Sequence, residues 1–335
     1  MKKVEMIKLS YGDSMMLRGI AILMMIFLHC FNYHPQNDYT DFVIDGNTLS
    51  WWLTKTAGLC VAFYCFLSGY GLYKKYPYGY NYCIEKTWFL VKRYWFFLMI
   101  FVGLGASVFN AYELNVTTLF SNFLGYNTTY NPTLWFLLPY LLVMVASPLL
   151  LKLFNTNKMW KSVTVVFVLY CTVFYFLKMK SMGVIFIPVI LSVVFESFHL
   201  LFSFMCGALF AKYGIPQLQI VKKNTMLNNA ILAVFIGVLI FIRTLIPNDV
   251  VSPFMCLALI VLVVNMRFAD NVIKLLAELG KYSLSMWFVH AYFTCEYLDF
   301  TVYWLEYPLL IFLAVVIYSY LISKLFDNIL KRLDI

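Results

Sequence analysis

The sequence predicts an all-α fold, a polytopic transmembrane helical bundle of about ten spans with both termini cytoplasmic. Three observations carry this. Of 335 residues, 63% are hydrophobic and 12% charged, whereas a soluble domain averages roughly 45–50% apolar and about 25% charged. The apolar residues gather into runs near the ~20 residues a helix needs to cross a bilayer. Lys and Arg are divided unevenly between alternate loops. Strands of alternating polarity, the signature of a membrane barrel, are absent.

The N-terminus, MKKVEMIKLSYGDSM, is basic and leads into the apolar run Leu17–His29, LRGIAILMMIFLH. No small-x-small cleavage site follows, so the run reads as a retained first span, not a signal peptide. Further spans are expected near 51–73, 88–109, 134–154, 160–177, 198–213, 228–246, 251–267, 282–299 and 307–326, after a first at 15–33. The stretch Gly183–Phe195, GVIFIPVILSVVF, is short and contains Pro188. It suits an interfacial or re-entrant piece better than a span.

Charge sets the orientation. With the N-terminus inside, the inner loops and helix ends hold Lys2, Lys3, Lys8 and Arg18, then Lys74, Lys75, Lys86, Lys92 and Arg93, then Lys152, Lys158 and Lys161. They also hold Lys212, Lys222 and Lys223, then Arg267, Lys274 and Lys281, and finally Lys324, Lys331 and Arg332. Only Lys55, Lys178, Lys180 and Arg243 of the 25 basic residues fall outside, where the first loop carries Asp38, Asp41 and Asp45. A full span at 183–195 would invert every later loop and place Lys222, Lys223 and Lys274 outside. The expected location is the plasma or inner membrane, multi-pass, as a single integral domain over 1–335. The net charge of +9 is a basic inner face meeting an anionic leaflet and implies no nucleic-acid partner.

Eight cysteines lie mostly within apolar runs and none forms a metal-spaced pair. They read as small hydrophobes, and no metal is expected. The outer loop 110–133 is rich in Asn, Thr and Tyr and has no Lys or Arg; Asn115 and Asn127 head glycosylation sequons. No internal repeat, P-loop, dinucleotide fingerprint or Gly-x-Ser-x-Gly elbow is present, so nucleotide hydrolysis and serine-hydrolase chemistry have no support.

Arg18 and His29 are expensive groups for a span to keep. Eleven residues apart at about 100° each, they leave the helix within about 20° of one another. At about 1.5 Å per residue they differ in depth by about 16 Å. Bland readings exist: the arginine snorkels to phosphates, and the histidine bonds a neighbouring helix. The shared face favours chemistry instead. A cation at the inner mouth holds an anionic group, and an imidazole further along the same wall moves a proton.

MLRGIAILMMIFLH, Met16 to His29, resembles the opening helix of the acyltransferase-3 family of integral membrane acyltransferases, with its Arg-Gly pair and a histidine ten residues beyond. AFYCFLSGYGLYKKY (Ala62–Tyr76) resembles the family's Phe-x-Leu-Ser-Gly helix, and VKRYWFFL (Val91–Leu98) its basic stretch opening the third helix. TLWFLLPYLLVMVASPLL (Thr133–Leu150), LFSFMCGALFAKYG (Leu201–Gly214) and LGKYSLSMWFVH (Leu279–His290) resemble later elements, in family order.

The resemblance implies transfer from a cytoplasmic acyl-CoA, usually acetyl-CoA, to a hydroxyl, commonly of a cell-surface or secreted polysaccharide or its lipid-linked precursor. It gives Arg18 the CoA side and His29 the role of catalytic base. A tunnel about 16 Å deep suits an extended pantetheine arm. Oxyanion stabilisation would fall to Trp135 Nε1–H, the Ser68 hydroxyl or a backbone N–H. Lys92 and Arg93 are either CoA-phosphate contacts or an ordinary positive-inside cap. The family often has a denser arginine cluster followed by a proline, which this chain lacks.

Ser283 and His290, seven residues apart, share a helix face and either line the same cavity or pack. Ser68–Gly69 serves either the site or close helix packing. Trp135 is either a site residue or an interfacial anchor. Glu196 and His199, three apart, lack a second Glu-x-x-His and read as a polar pair or a sugar contact, not a metal site. A transporter or flippase for a glycan or lipid-linked substrate, with Arg18 and His29 lining a pathway, is the rival reading; the paired halves many transporters show are not visible. As a stand-alone member without a fused soluble domain, the chain is expected to act alone or with separate polysaccharide-assembly proteins.

Overall fold

The computed structural model describes residues 5–155, 159–218, 220–221 and 224–333. Of the expected inner cations, Lys2, Lys3, Lys158, Lys222 and Lys223 lie outside the described residues. Eight described helices are long and apolar enough to cross a membrane, in keeping with a polytopic helical bundle. Two helices complete the expected set less conspicuously. Residues Asp249–Asn265 form a shorter apolar piece, and Asp270–Val289 carries Asp270, Lys274, Glu278 and Lys281 within its first twelve residues.

The chain divides into two compact units. The first comprises Met1–Lys74 and Ser203–Ser283. It opens with strand β1 (Met6–Ile7) and helix α1 (Tyr11–Phe31). Ser10 starts α1 with a capping box: its hydroxyl accepts from the Asp13 N–H, and the Asp13 carboxylate accepts from the Ser10 N–H. The hairpin β2 (Val43–Ile44) and β3 (Asn47–Thr48) follows, then α2 (Leu49–Ala57) and α3 (Cys60–Lys75). These two form the second crossing, interrupted at Gly58–Leu59.

The second unit comprises Lys75–Phe202 and Leu284–Ile335. It holds α4 (Tyr80–Ser107), α5 (Val116–Phe123), α6 (Leu137–Phe154) after a 3₁₀ turn at Pro132–Phe136, and α7 (Met159–Ser181). Helix α8 (Val189–Tyr213) begins here and ends in the first unit. It is followed by β4 (Ile215–Pro216), α9 (Thr225–Leu245), α10 (Ser252–Asn265) and α11 (Asp270–Val289). The chain closes with α12 (Ala291–Thr294), α13 (Phe300–Tyr303) and α14 (Pro308–Arg332).

Two expectations are corrected. The stretch 183–195 is not a separate interfacial or re-entrant piece. Gly183, at φ +72°, and Pro188 end the connection from α7, and residues 189–195 form the first two turns of α8. A proline suits the start of a helix because the N–H it lacks would be unbonded there. The ninth helix starts at Asp270, not near 282; its charged first turns fall below the hydropathy that betrays a span, so sequence inspection missed them.

The strand pair tests the crossing count. β1 precedes α1, β4 follows α8, and they pair antiparallel through Met6 with Pro216 and Ile7 with Ile215. Gly214, at φ +91°, turns the chain out of α8 into β4. Both strands must lie on one face of the membrane. The six spans from Tyr11–Phe31 to Val189–Tyr213 satisfy this, and an extra span at 183–195 would not.

The first unit is built around two crossings where backbones touch. A β-carbon on Gly19 of α1 would collide with the Leu276 carbonyl of α11, and one on Gly280 of α11 with the Met15 carbonyl. The same reciprocity joins Gly69 of α3 to Phe204 and Gly207 of α8 to Phe66. In lipid, where apolar side chains gain nothing by leaving solvent, such close approaches are a main source of helix association.

Gly19→Ala and Gly280→Ala are each expected to cost about 1–3 kcal/mol through overpacking. Gly71 and Gly237 have open space at the β-carbon position, so alanine there should be neutral or stabilising. Thermal unfolding of the four purified variants in detergent checks the contrast.

Candidate active site

Arg18, His29, Ser68 and Ser283 fall in the first unit; Lys92, Arg93, Trp135 and His290 fall in the second. Arg18 and His29 both lie on α1, unbroken from Tyr11 to Phe31. The shared face and the separation of about 16 Å along the axis therefore hold. Arg18 is half-buried, and no carboxylate among the described residues pairs with it. His29 is 7% exposed. Its Nδ1 lies 2.9 Å from the Met25 carbonyl, and a carbonyl only accepts, so Nδ1 carries the proton. The lone pair is then on Nε2, the nitrogen a general base uses. Tyr33, one turn further out and 66% exposed, stacks on the imidazole at 5.7 Å.

Tyr64 was not singled out by the sequence. It sits one turn before Ser68 on the same face of α3, with Arg18 and Ser283 in its electrostatic reach. Its hydroxyl is buried beside Ser283, with no hydrogen bond of ordinary length to any described residue. A tyrosine inside an aromatic run gives no sequence sign of this. Ser283 donates to the Gly280 carbonyl at 2.9 Å, a bond within its own helix.

In the second unit Arg93 is committed elsewhere. Its Nη1 donates to Asp327 Oδ1 at 2.8 Å, its guanidinium lies 4.5 Å from the Phe89 ring centroid, and Ser285 donates to the same carboxylate oxygen at 2.5 Å. Both charged side chains are about nine-tenths buried. Lys92, its neighbour on α4, is half-buried. Trp135 is 42% exposed, against Phe136. His290 is fully buried, with Nδ1 against the Met286 and Trp287 carbonyls at 3.2 and 2.9 Å. Glu196 accepts from Ser192, whereas His199 stacks on Tyr170 and Phe174. Among the described residues no three His, Cys, Asp or Glu side chains are placed to hold a metal.

The outer loop of this unit is ordered by polar ties. Asn115 caps α5 through the Thr117 and Thr118 N–H groups. Tyr94 donates to the Asn122 carbonyl, and Tyr112 donates to Glu296 Oε2 at 2.7 Å. Burial, and then its bond to Glu296, push the Tyr112 phenol above its ordinary pKa, so it stays a donor at neutral pH.

The third membrane-zone arginine, Arg243, is also satisfied. It is 2% exposed and donates to the carbonyls of Lys55, Ile246 and Asn248, to Asp249 at 2.8 Å and to Ser252. Arg93 and Arg243 thus each have a carboxylate partner, and Arg18 has none among the described residues.

Comparison with known proteins gives a family. Residues 15–324 match the acyltransferase-3 model, described as an acyltransferase domain. No curated protein and no solved structure matches.

Asp327→Ala leaves a buried guanidinium uncompensated and is expected to cost about 3–5 kcal/mol, while the double change Arg93→Met with Asp327→Leu should recover most of it. Thermal unfolding of both variants is the check. Full stability in Asp327→Ala would show that the pair does not support the fold.

Proposed function

The chain belongs to the acyltransferase-3 family, and from this we propose that it is a membrane O-acetyltransferase moving an acetyl group from cytoplasmic acetyl-CoA to a glycan hydroxyl. The acceptor is a cell-surface or secreted polysaccharide or its lipid-linked precursor. The single observation that carries the assignment of residues is the state of α1: an arginine with no ion-pair partner among the described residues and a histidine whose Nδ1 is bonded to the Met25 carbonyl, on one face of one unbroken helix.

Each group has a defined task. Arg18 holds an anionic part of CoA near the inner end, where guanidinium geometry suits phosphate. The pantetheine arm extends along the helix face toward His29. A sugar hydroxyl is a weak nucleophile near neutral pH. His29 Nε2 takes its proton as the oxygen attacks the thioester carbonyl. The new C–O bond forms, the C–S bond breaks, and the proton passes from the imidazolium to the departing thiolate. The oxyanion needs a donor; the Ser68 and Tyr64 hydroxyls are the candidates of the first unit. Lys92, in the second unit, keeps only its sequence-based candidacy for a CoA-phosphate contact. Arg93, already bound to Asp327, is a poorer candidate than its position in sequence suggested.

Cell-surface glycans compared by NMR from strains with the gene deleted, restored, and restored as His29→Ala give the test. Acetyl signals should vanish on deletion and return only with the intact gene. With purified protein, His29→Ala should lower kcat by about 10²–10⁴-fold and leave acetyl-CoA affinity unchanged, whereas Arg18→Ala should mainly weaken that affinity. Unchanged acetylation with altered polymer export would replace this reading by transport.

A further inference from the structure

Lys55 is a cation on the outer side with no carboxylate partner within ion-pair distance among the described residues. Its Nζ donates to Asn32 Oδ1 at 3.2 Å and lies 3.4 Å from the Trp51 ring centroid. Asn32 is the residue that ends α1, three positions after His29. The same Asn32 oxygen accepts from Thr54 at 3.2 Å. Arg243 Nε donates to the Lys55 carbonyl at 3.0 Å and fixes that stretch of α2. The ammonium is therefore held in place by neutral groups.

Three nearby carboxylates have partners of their own. Asp249 binds Arg243 at 2.8 Å, Asp38 binds His34 at 2.9 Å, and Asp41 accepts from the Phe42 and Ser50 backbone N–H groups. Asp45 occupies the tip of the β2–β3 hairpin. Lys55 forms an ion pair with none of them. It is half-buried, where the effective dielectric constant is lower than in water and charge counts for more.

The surroundings suit a sugar. Tyr33 presents an exposed ring directly over His29, Trp51 and Trp52 meet edge to face at 5.0 Å, and Asn32 supplies an amide. Rigid amphipathic rings beside polar groups offer both apolar contact and hydrogen bonds.

We infer that the outer end of α1 is an acceptor subsite for an anionic glycan, in which Tyr33 and Trp51 form the platform and Lys55 selects a carboxylate- or phosphate-bearing sugar. The inference rests on the acyltransferase reading for its purpose, but not for its test. Lys55 is a specificity residue here, placed to bind the chain whose neighbouring hydroxyl reaches His29.

Binding of fluorescently labelled oligosaccharides to the purified full chain in detergent tests it without turnover. The probes are glucose oligomers, glucuronate oligomers of equal length and glucose oligomers bearing a phosphate. At least one anionic probe should bind tenfold or more tighter than the neutral one, with a preference that weakens as salt is raised. Comparison of the two anionic probes separates carboxylate from phosphate. Lys55→Gln should abolish the preference, and Lys55→Arg should keep most of it, with both variants matching the parent in gel filtration. Equal binding of all three probes, or a preference that survives Lys55→Gln, overturns the inference. Acetyl-CoA binding is measured on the same preparation. Its absence alongside a Lys55-dependent anion preference would overturn the acyltransferase reading and leave the subsite standing.

Discussion

Contact between helix backbones at glycine is the constraint on which the first unit depends. Gly19 against Leu276 and Gly280 against Met15 leave no room for a side chain on either helix. α1 is thereby fixed in rotation and depth relative to α11. Its polar residues inherit that precision, since Arg18 precedes Gly19 and Ser283 follows Gly280 by three positions. The α3–α8 crossing does the same for Ser68, which precedes Gly69. The Arg-Gly and Ser-Gly pairs that drew attention in the sequence thus divide their labour: glycine brings the helices together, and its neighbour is set beside the crossing. For Gly69, the packing explanation weighed from sequence is the one the geometry supports.

The arginines show how expensive charges are distributed. Arg93 is buried together with Asp327, whereas Arg243 is buried but its partner Asp249 is exposed, and Arg243 adds backbone carbonyls from its own helix end and the following loop. The buried Arg93 Nε has no hydrogen-bond partner among the described residues, but each guanidinium has its carboxylate, and removing one partner of a buried pair is costly. A charge that is only half-buried and unmatched has no such structural return, so its retention points toward a ligand. Arg18 meets that description near the inner end of α1, and Lys55 meets it near the outer end.

Much of the fold was legible because membrane helices advertise themselves by length and apolarity. Most of the first eight spans were placed close to the helices found, although the third and sixth begin earlier, at Tyr80 and Val189, and the pairing of β1 with β4 puts the start of the first span and the end of the sixth on one face. What failed did so for a physical reason. Residues 189–195 looked too short to cross because Pro188 was taken as a break within a segment when it stands at the start of a helix. The first turns of α11 were missed because Asp270, Lys274, Glu278 and Lys281 dilute its hydropathy. The site was legible where two residues share one helix, as Arg18 and His29 do, since periodicity alone relates them. It was not legible where partners come from distant segments. Asp327 is 234 residues from Arg93, and nothing in either neighbourhood announces the bond. Tyr64 and Lys55 were hidden differently: one is a tyrosine among many aromatics, the other a basic residue that merely broke a counting rule.

The length of α1 ties these observations together. Twenty-one residues at about 1.5 Å each span roughly the 30 Å thickness of a bilayer core. A single rigid helix therefore reaches both faces, with Arg18 toward one and His29 toward the other. In the proposed reaction the donor is too highly charged to cross lipid, and a polymer acceptor is too large. Neither needs to cross. The charged end of CoA stays with Arg18, and only a narrow, largely uncharged arm has to occupy the depth between the two residues. Placing the base in the outer half of the helix lets the acyl group alone change sides. In that proposed reaction Asn32 and Lys55, just beyond His29, stand on the acceptor's side of the reacting atoms, where the Lys55 ammonium is the group inferred to discriminate between glycans.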